Sequence, residues 1–404
     1  MTNFTRRTAI AVGLALIAIQ PVLAQGNKVL TIGSAFSPVS LDPSLSGNGR
    51  AGMALVPAYE PLVRVTPDGK FRPALATAWE MAPDSKSVTF TIRTDAKFSD
   101  GDAVTADAVK KSIEYFNQAI EKDPTFALAY AGLADYYVVP ANPLPPREKM
   151  PKAKAAAMRA LELDDTLAEA HATLARTLMI YDWEWAGAEK EFKRAIELNA
   201  GYPKAHQWYG GYLDGIGRRN EAITEAKRAR ELDPLSPIMN FEVGMAFYYN
   251  RDYDKAIEQL QETLALDADF PPAHGELPAA YELKGMYDKA VAGFQKGIAV
   301  SGTNEWYFSK SGLGHVYAVS GKTGEARAVL NELRQLSERE YVPADRIALI
   351  YAGLGEKDQA FAWLEKAYGE RSFNMAWLKV EPRWDSLRDD PRFAGLLKRM
   401  NLPE

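Results

Sequence analysis

Alanines stand at 188, 222, 256 and 290, each 34 residues after the last, and Ala326 and Ala360 extend the series. Leu198, Leu232, Leu266 and Val300 keep the same interval, as do Gly217, Arg251 and Gly285. A sustained period of this length predicts stacked helix–turn–helix units, because one helix pair cannot bury its apolar face alone and must share it with the next. Followed backwards, the period fades near residues 109–116, where a different pattern has been running since residue 28.

At 404 residues the chain exceeds one ordinary domain. Its net charge of −5 gives no electrostatic case for binding nucleic acid or an anionic membrane. Arg6 and Arg7, the apolar run 9–19 and the small-residue ending at Ala24 read as an export signal over residues 1–24. That run falls short of the roughly 20 apolar residues a spanning helix needs, so the expected product is a mature periplasmic protein without a stable membrane anchor. With no cysteine in the chain, thiol catalysis, a Cys-containing zinc site and anchoring through a lipid-modified cysteine are all excluded.

Residues 28–111 are strand-rich. Residues 29–34 are β-prone, and 52–59 are expected to be helical despite Pro57. Thr66-Pro67-Asp68-Gly69 connects 60–65 and 70–71 as a hairpin, and 88–93 alternate apolar and polar with period two, the mark of a half-buried strand. Thr105 caps a helix that runs on to Lys122. Tyr59-Glu60-Pro61-Leu62, Pro73-Ala74-Leu75-Ala76 with Trp79, residues 88–93, and Phe98-Ser99-Asp100-Gly101 followed by Val104-Thr105-Ala106-Asp107 together resemble the start of family 5 extracellular solute-binding proteins of oligopeptide and dipeptide ABC importers. The resemblance covers about 85 residues and implies part of one binding lobe, with an ABC importer as the implied partner. Half a cleft buries too little of a ligand for any residue here to be assigned as a contact.

From 112 to 372 the pattern is helical. Gly132-Leu133 and Tyr136 pair with Ala153, Ala157 and Ala160, and the arrangement recurs down to Ile347-Ala348 and Tyr351 with Ala360, Leu364 and Ala367. This resembles the tetratricopeptide repeat and implies about seven helix pairs plus an incoming half-repeat. Tyr181-Asp182-Trp183-Glu184-Trp185, the run 205–210 and Leu387-Arg388-Asp389-Asp390-Pro391-Arg392-Phe393 are similar to a bacterial group in which such repeats follow a winged-helix regulator, a nucleotide cyclase or a protein kinase. Residues 373–404 are then a closing segment whose final helix, 393–400, covers the end of the stack. The fold class expected is mainly α, an α-α superhelical solenoid preceded by a small α+β segment. Two departures stand out: prolines 140, 143, 145 and 146 predict a loop over 138–150, and Pro278 predicts a helix break near 276–279.

No catalytic constellation emerges. Ser320-Gly321-Lys322-Thr323 resembles the end of a phosphate loop, but Val316 stands where that loop needs glycine, so Gly321 reads as an inter-helix turn. His274-Gly275-Glu276 lacks the cysteines a zinc deaminase requires. His171, His206 and His274 share a packing register, and His315 lies on a later first helix. The expectation is a non-enzymatic scaffold, without cofactor or metal, holding a protein or peptide partner on the first helices of successive repeats. Candidate groove residues are Glu169, Arg176, Lys204, Gln207, Asp214, Phe241, Met245 and Tyr248. The alternative is a periplasmic solute-binding component of a peptide importer.

Overall fold

A computed structural model describes residues 112–139, 145–300 and 302–403, together with the backbone of five short strands. The strands are β1 (Val29–Gly33), β2 (Val63–Val65), β3 (Phe71–Pro73), β4 (Ala76–Met81) and β5 (Ser87–Ile92). β5 lies between β1 and β4, antiparallel to both, and β2 pairs antiparallel with β3. The expected signal, the helix over 52–59 and the turns joining the strands lie outside the described residues, and with them most of the expected α+β lobe. The helix expected from Thr105 is described from Ser112 onward.

The described helices follow the 34-residue beat. After α1 (Ser112–Lys122) come seven pairs: α2 (Ala127–Val138) with α3 (Pro146–Leu163), α4 (Ala168–Thr177) with α5 (Trp185–Leu198), α6 (Pro203–Ile216) with α7 (Arg219–Leu232), α8 (Pro237–Tyr249) with α9 (Tyr253–Leu266), α10 (Pro271–Leu283) with α11 (Tyr287–Val300), α12 (Gly302–Val319) with α13 (Thr323–Ser337), and α14 (Ala344–Gly353) with α15 (Lys357–Glu370). A final helix, α16 (Pro391–Arg399), follows two short 3-10 turns, Phe373–Trp377 and Pro382–Leu387.

Two compact units divide the chain. One holds described residues up to 139 together with 152–174 and 194–205; the other holds 145–151, 175–193 and 206–403. In the first, Phe116 and Ala119 of α1 pack on Ala129, and Ala131, Ala160 and Ala170 form a neighbouring cluster. In the second, each second helix packs on its partner and on the next first helix: α7 on α8, α9 on α10, α11 on α12, α13 on α14. Small residues face large ones throughout. A Cβ on Gly244 would come within 2.8 Å of Leu260, and one on Gly312 within 2.2 Å of the Phe294 ring. Ala222, Ala256, Ala290, Ala326 and Ala360 are all fully buried, which is why the beat shows in the sequence.

Both proline expectations need correction. The loop is shorter than 138–150, because α3 begins at Pro146: the first helical position needs no N–H and its φ suits proline. Pro278 does not break α10, which runs unbroken from Pro271 to Leu283. Its ring points at α11, where Gly293 leaves the space; a Cβ there would lie 2.6 Å from Pro278 Cγ. Pro278 occupies the register that holds Gly210, Gly244 and Gly314 in other pairs, so the small residue has moved to the opposite helix.

Candidate partner groove

The link within most pairs requires one residue of positive φ. Gly217, Gly285, Gly321 and Gly355 take it at +87°, +72°, +82° and +74°, so Gly321 is a turn residue as expected. Two links put another residue there instead, Trp183 between α4 and α5 at +60° and Arg251 between α8 and α9 at +64°. A non-glycine residue is strained in this region.

Arg251 has a specific partner. Its guanidinium donates two hydrogen bonds to the Asp385 carboxylate, at 2.6 and 2.7 Å. Asp385 belongs to residues 373–387, which lie across the first helices of the second unit. Phe373 lies under the Arg176 guanidinium of α4, 5.3 Å from the ring centre, and Trp208 takes the same guanidinium at 4.8 Å. The Trp377 indole N–H donates to the Gly211 carbonyl of α6 at 2.9 Å. The Ala376 carbonyl approaches Gly215 so closely that a Cβ there would lie 2.9 Å away. From α8, the Tyr248 hydroxyl donates to Glu381 Oε1 at 2.7 Å. Arg383 pairs with Glu276 of α10 at 3.7 Å, and Asn374 Nδ2 donates to Asp345 Oδ2 of α14 at 3.2 Å.

This interface is charged. Burial raises the Glu381 carboxyl, but the charge and hydrogen bonds of Arg383 outweigh it and hold the group below its ordinary value. Asp385 is lowered in the same way: burial opposes, and the hydrogen bonds from Arg251 and Arg388 prevail. The groove floor behaves oppositely. Burial, reinforced by the Glu242 charge, pushes the Asp214 carboxyl well up; burial also raises Glu242 and Glu276, against Gln207 and Arg383 respectively. A cavity of about 30 Å³ remains between Tyr249, Glu276, Asp345, Asn374 and Trp377, with room for water-sized molecules and nothing larger.

Six of the eight candidate groove residues belong to this unit, and all six are buried: Arg176, Gln207, Asp214, Phe241, Met245 and Tyr248. Arg176 and Tyr248 touch the C-terminal segment directly. Gln207 donates to Glu242 at 3.0 Å, and Phe241 packs edge-on against Phe270. In the other unit, Glu169 is exposed, and Lys204 donates to both Asp135 oxygens at 3.0 Å. Gly211, Gly215, Arg251, Glu276 and Asp345 were not legible as contacts; an arginine on a glycine beat was the one available signal for Arg251. Residues 373–387 also depart from the expected end cap. α16 does pack on α15, through Arg392–Asp358 and Arg399–Glu365, but the turns before it run over the inner helix face.

The histidines hold packing bonds. His171 and His274 each contact a main-chain carbonyl six residues earlier, while His206 meets Glu225 and His315 meets Glu282, both at 2.6 Å. Among the described residues, no three His, Asp or Glu side chains converge as metal ligands would.

Comparison with known proteins now bears on this architecture. The sequence model of bacterial extracellular solute-binding proteins, family 5 Middle, matches residues 70–195, and that of the tetratricopeptide repeat matches 345–372. The chain is therefore similar to family 5 solute-binding proteins over one stretch and to the tetratricopeptide repeat over another. Dipeptide-binding protein DppE of Bacillus subtilis is 40% identical over 81 residues, 20% of this chain and 15% of that protein. The periplasmic oligopeptide-binding protein OppA of Haemophilus influenzae is 33% identical over 137 residues, 33% of this chain and 24% of that protein. The chain thus spans less than a quarter of the length of either relative. Among solved structures, a monomeric mutant of IFIT1 with Gppp-AAAA covers 72% of this chain and 67% of its own, at 14% identity and TM-score 0.50, a likeness of fold alone. YrrB, a tetratricopeptide repeat protein with an unusual peptide-binding site, aligns over 46% of this chain and 93% of its own, at 22% identity and TM-score 0.33. The family 5 match extends past 111 into α1–α5, where the backbone is helical and packs by alanines.

Proposed function

We propose that the helical repeats act as a non-enzymatic scaffold that holds a protein or peptide partner. The observation that carries this reading is the face shared by α4, α6, α8, α10 and α14 in the second unit, where each helix supplies a side chain or carbonyl to one crossing stretch of polypeptide. Repeat stacks present such extended surfaces because each unit adds one helix to the same side. The eight candidate residues belong to this proposal, with Arg176 and Tyr248 as its principal members. Affinity capture on the full chain, beside variants Arg176→Ala and Tyr248→Phe, tests it. A partner retained by the wild type and lost by the variants is the expected result; retention indifferent to both overturns the reading.

The matches to DppE and OppA support a second reading, a periplasmic peptide-binding component of an ABC importer. Under it, residues 28–111 form the binding element, 1–24 the export signal, and 112–372 and 373–404 the repeats and their closing segment. No described helix is long and apolar enough to cross a membrane. Saturable thermal stabilisation by short peptides is expected on this reading. A melting temperature unmoved across a di- to pentapeptide library would remove it.

A further inference from the structure

Residues 373, 377, 381 and 385 are spaced four apart, and each meets the groove in turn: Phe373 at Arg176, Trp377 at Gly211, Glu381 at Tyr248, Asp385 at Arg251. We infer that residues 373–387 are a displaceable, built-in ligand of this face, and that its external partner is a peptide of the same chemistry. That peptide carries two aromatic anchors four residues apart, followed at the same spacing by two carboxylates. The inference rests on the scaffold reading and names the partner class for that site.

Three observations separate a ligand from an ordinary piece of core. The first is chemical. A segment selected for stability alone would meet the helices through apolar packing, since buried ion pairs are often no better than hydrophobic replacements. Here the direct contacts are an indole N–H, a phenol, an amide, three arginines and carboxylates. They read side-chain identity as well as filling space. Met375, Ala376, Leu378, Val380, Trp384 and Leu387 bury the apolar part, the Tyr248–Glu381–Arg383 contact is buried among them, and Arg251–Asp385 stays at the exposed edge, the arrangement of an interface with buried anchors.

The second observation is the strain at Arg251. Four other inter-helix links use glycine at this conformation, and the fifth uses Trp183, whose side chain is fully buried. The Arg251–Asp385 pair stays about two-fifths exposed on each side, at 38% and 44%, so it adds little to folding. Strained backbone that serves a weakly stabilising contact points to recognition.

The third is the segment's self-sufficiency. Arg388 donates to the carbonyls of Lys379 and Glu381 and to Asp385, so the stretch holds its own shape. Its turns bond internally, Leu378 N–H to Met375 and Val380 N–H to Trp377. Of the groove contacts named above, one uses a groove main-chain acceptor, Gly211. The stretch can therefore leave as a formed loop while α16 stays on α15.

The test uses the full chain and a fluorescent peptide with the sequence of residues 372–389. A tethered occupant competes at high effective concentration, so the wild type binds the free peptide weakly and a chain whose own segment is weakened binds it more tightly. Trp377→Ala is expected to improve peptide affinity at least tenfold. Equal affinity, or no binding to either chain, overturns the inference, and so does a dimer of the variant, which would make a second copy the occupant. Should circular dichroism show that the variant is unfolded, hydrogen exchange on the wild type decides. Amides 375–387 should exchange at least tenfold faster than those of α8 and α10, and equal protection overturns the proposal. A partner captured by the wild type but not displaced by the peptide removes this inference and leaves the scaffold reading standing.

Discussion

Within one unit the chain makes two kinds of contact. Between neighbouring helices of the stack, a small residue faces a large apolar one: Gly244 against Leu260 and Gly314 against Val329 within pairs, Gly312 against Phe294 and Gly314 against Ile350 between pairs. Between the inner helix face and residues 373–387, polar groups meet across sequence separations of 29 to 166 residues. The first kind recurs with each repeat and is shared among neighbours, so its loss is felt by the whole stack. The second occurs once and joins one segment to several helices, so its loss should stay local.

Phe294→Ala should produce the largest effect. The ring is fully buried, and truncating such a residue costs about 3–5 kcal/mol through lost transfer energy and the cavity left behind. Urea unfolding should show a lower midpoint for the second unit, with 375–387 losing protection together with the helices. Trp377→Ala comes next, at about 2–3 kcal/mol because the side chain is already half-buried. Its signature differs: faster exchange confined to the segment, with α8–α11 little changed. If the two variants loosen the same amides, the contrast between repeat core and docked segment is lost.

These two kinds of contact also explain how much could be read in advance. The beat exposed the buried alanines and the glycine links because one physical requirement recurs at one interval. Pro278 misled because its accommodation depends on Gly293 in the facing helix, a pairing that no propensity along α10 contains. Pro146 misled because a proline cluster reads as loop, whereas one proline suits the first helical position. The candidates Arg176 and Tyr248 were legible from their register on first helices. Their occupant was not, because residues 373–387 carry no repeat and form only short 3-10 turns.

Acidification sharpens the contrast through opposite signs. Glu381 faces Tyr248, Arg383 and Glu276, and Asp385 faces Arg251 and Arg388; both carboxyls are lowered in the fold. A carboxyl lowered on folding contributes stability above its unfolded value and loses it as pH falls through the folded value. Asp214, Glu242 and Glu276 are raised, so their contribution is present below the ordinary carboxylate range and lost as pH rises through their folded values. Lowering the pH below that ordinary range should therefore free the segment while relieving the groove floor. Hydrogen exchange across a pH series should show 375–387 opening first, and Glu381→Gln should flatten that response. A segment equally protected at all acidic pH values would refute the assignment of Glu381 and Asp385 as its anchors.

Arg251→Gly should have the smallest effect on stability and gives the finest discrimination. Removing a side chain from positive φ relieves about 1–2 kcal/mol of steric cost, while the added glycine returns about 0.5–1 kcal/mol of unfolded-state entropy. Loss of the half-exposed Asp385 pair subtracts about 0–1 kcal/mol more. These terms nearly cancel, so the melting temperature should move by no more than a degree or two. The segment has no such compensation, because the relief belongs to the link between α8 and α9 whereas the lost bonds belong to residues 373–387. Exchange at 375–387 should accelerate several-fold at unchanged global stability. An arginine retained only for packing would give the reverse, a fall in melting temperature with the segment undisturbed.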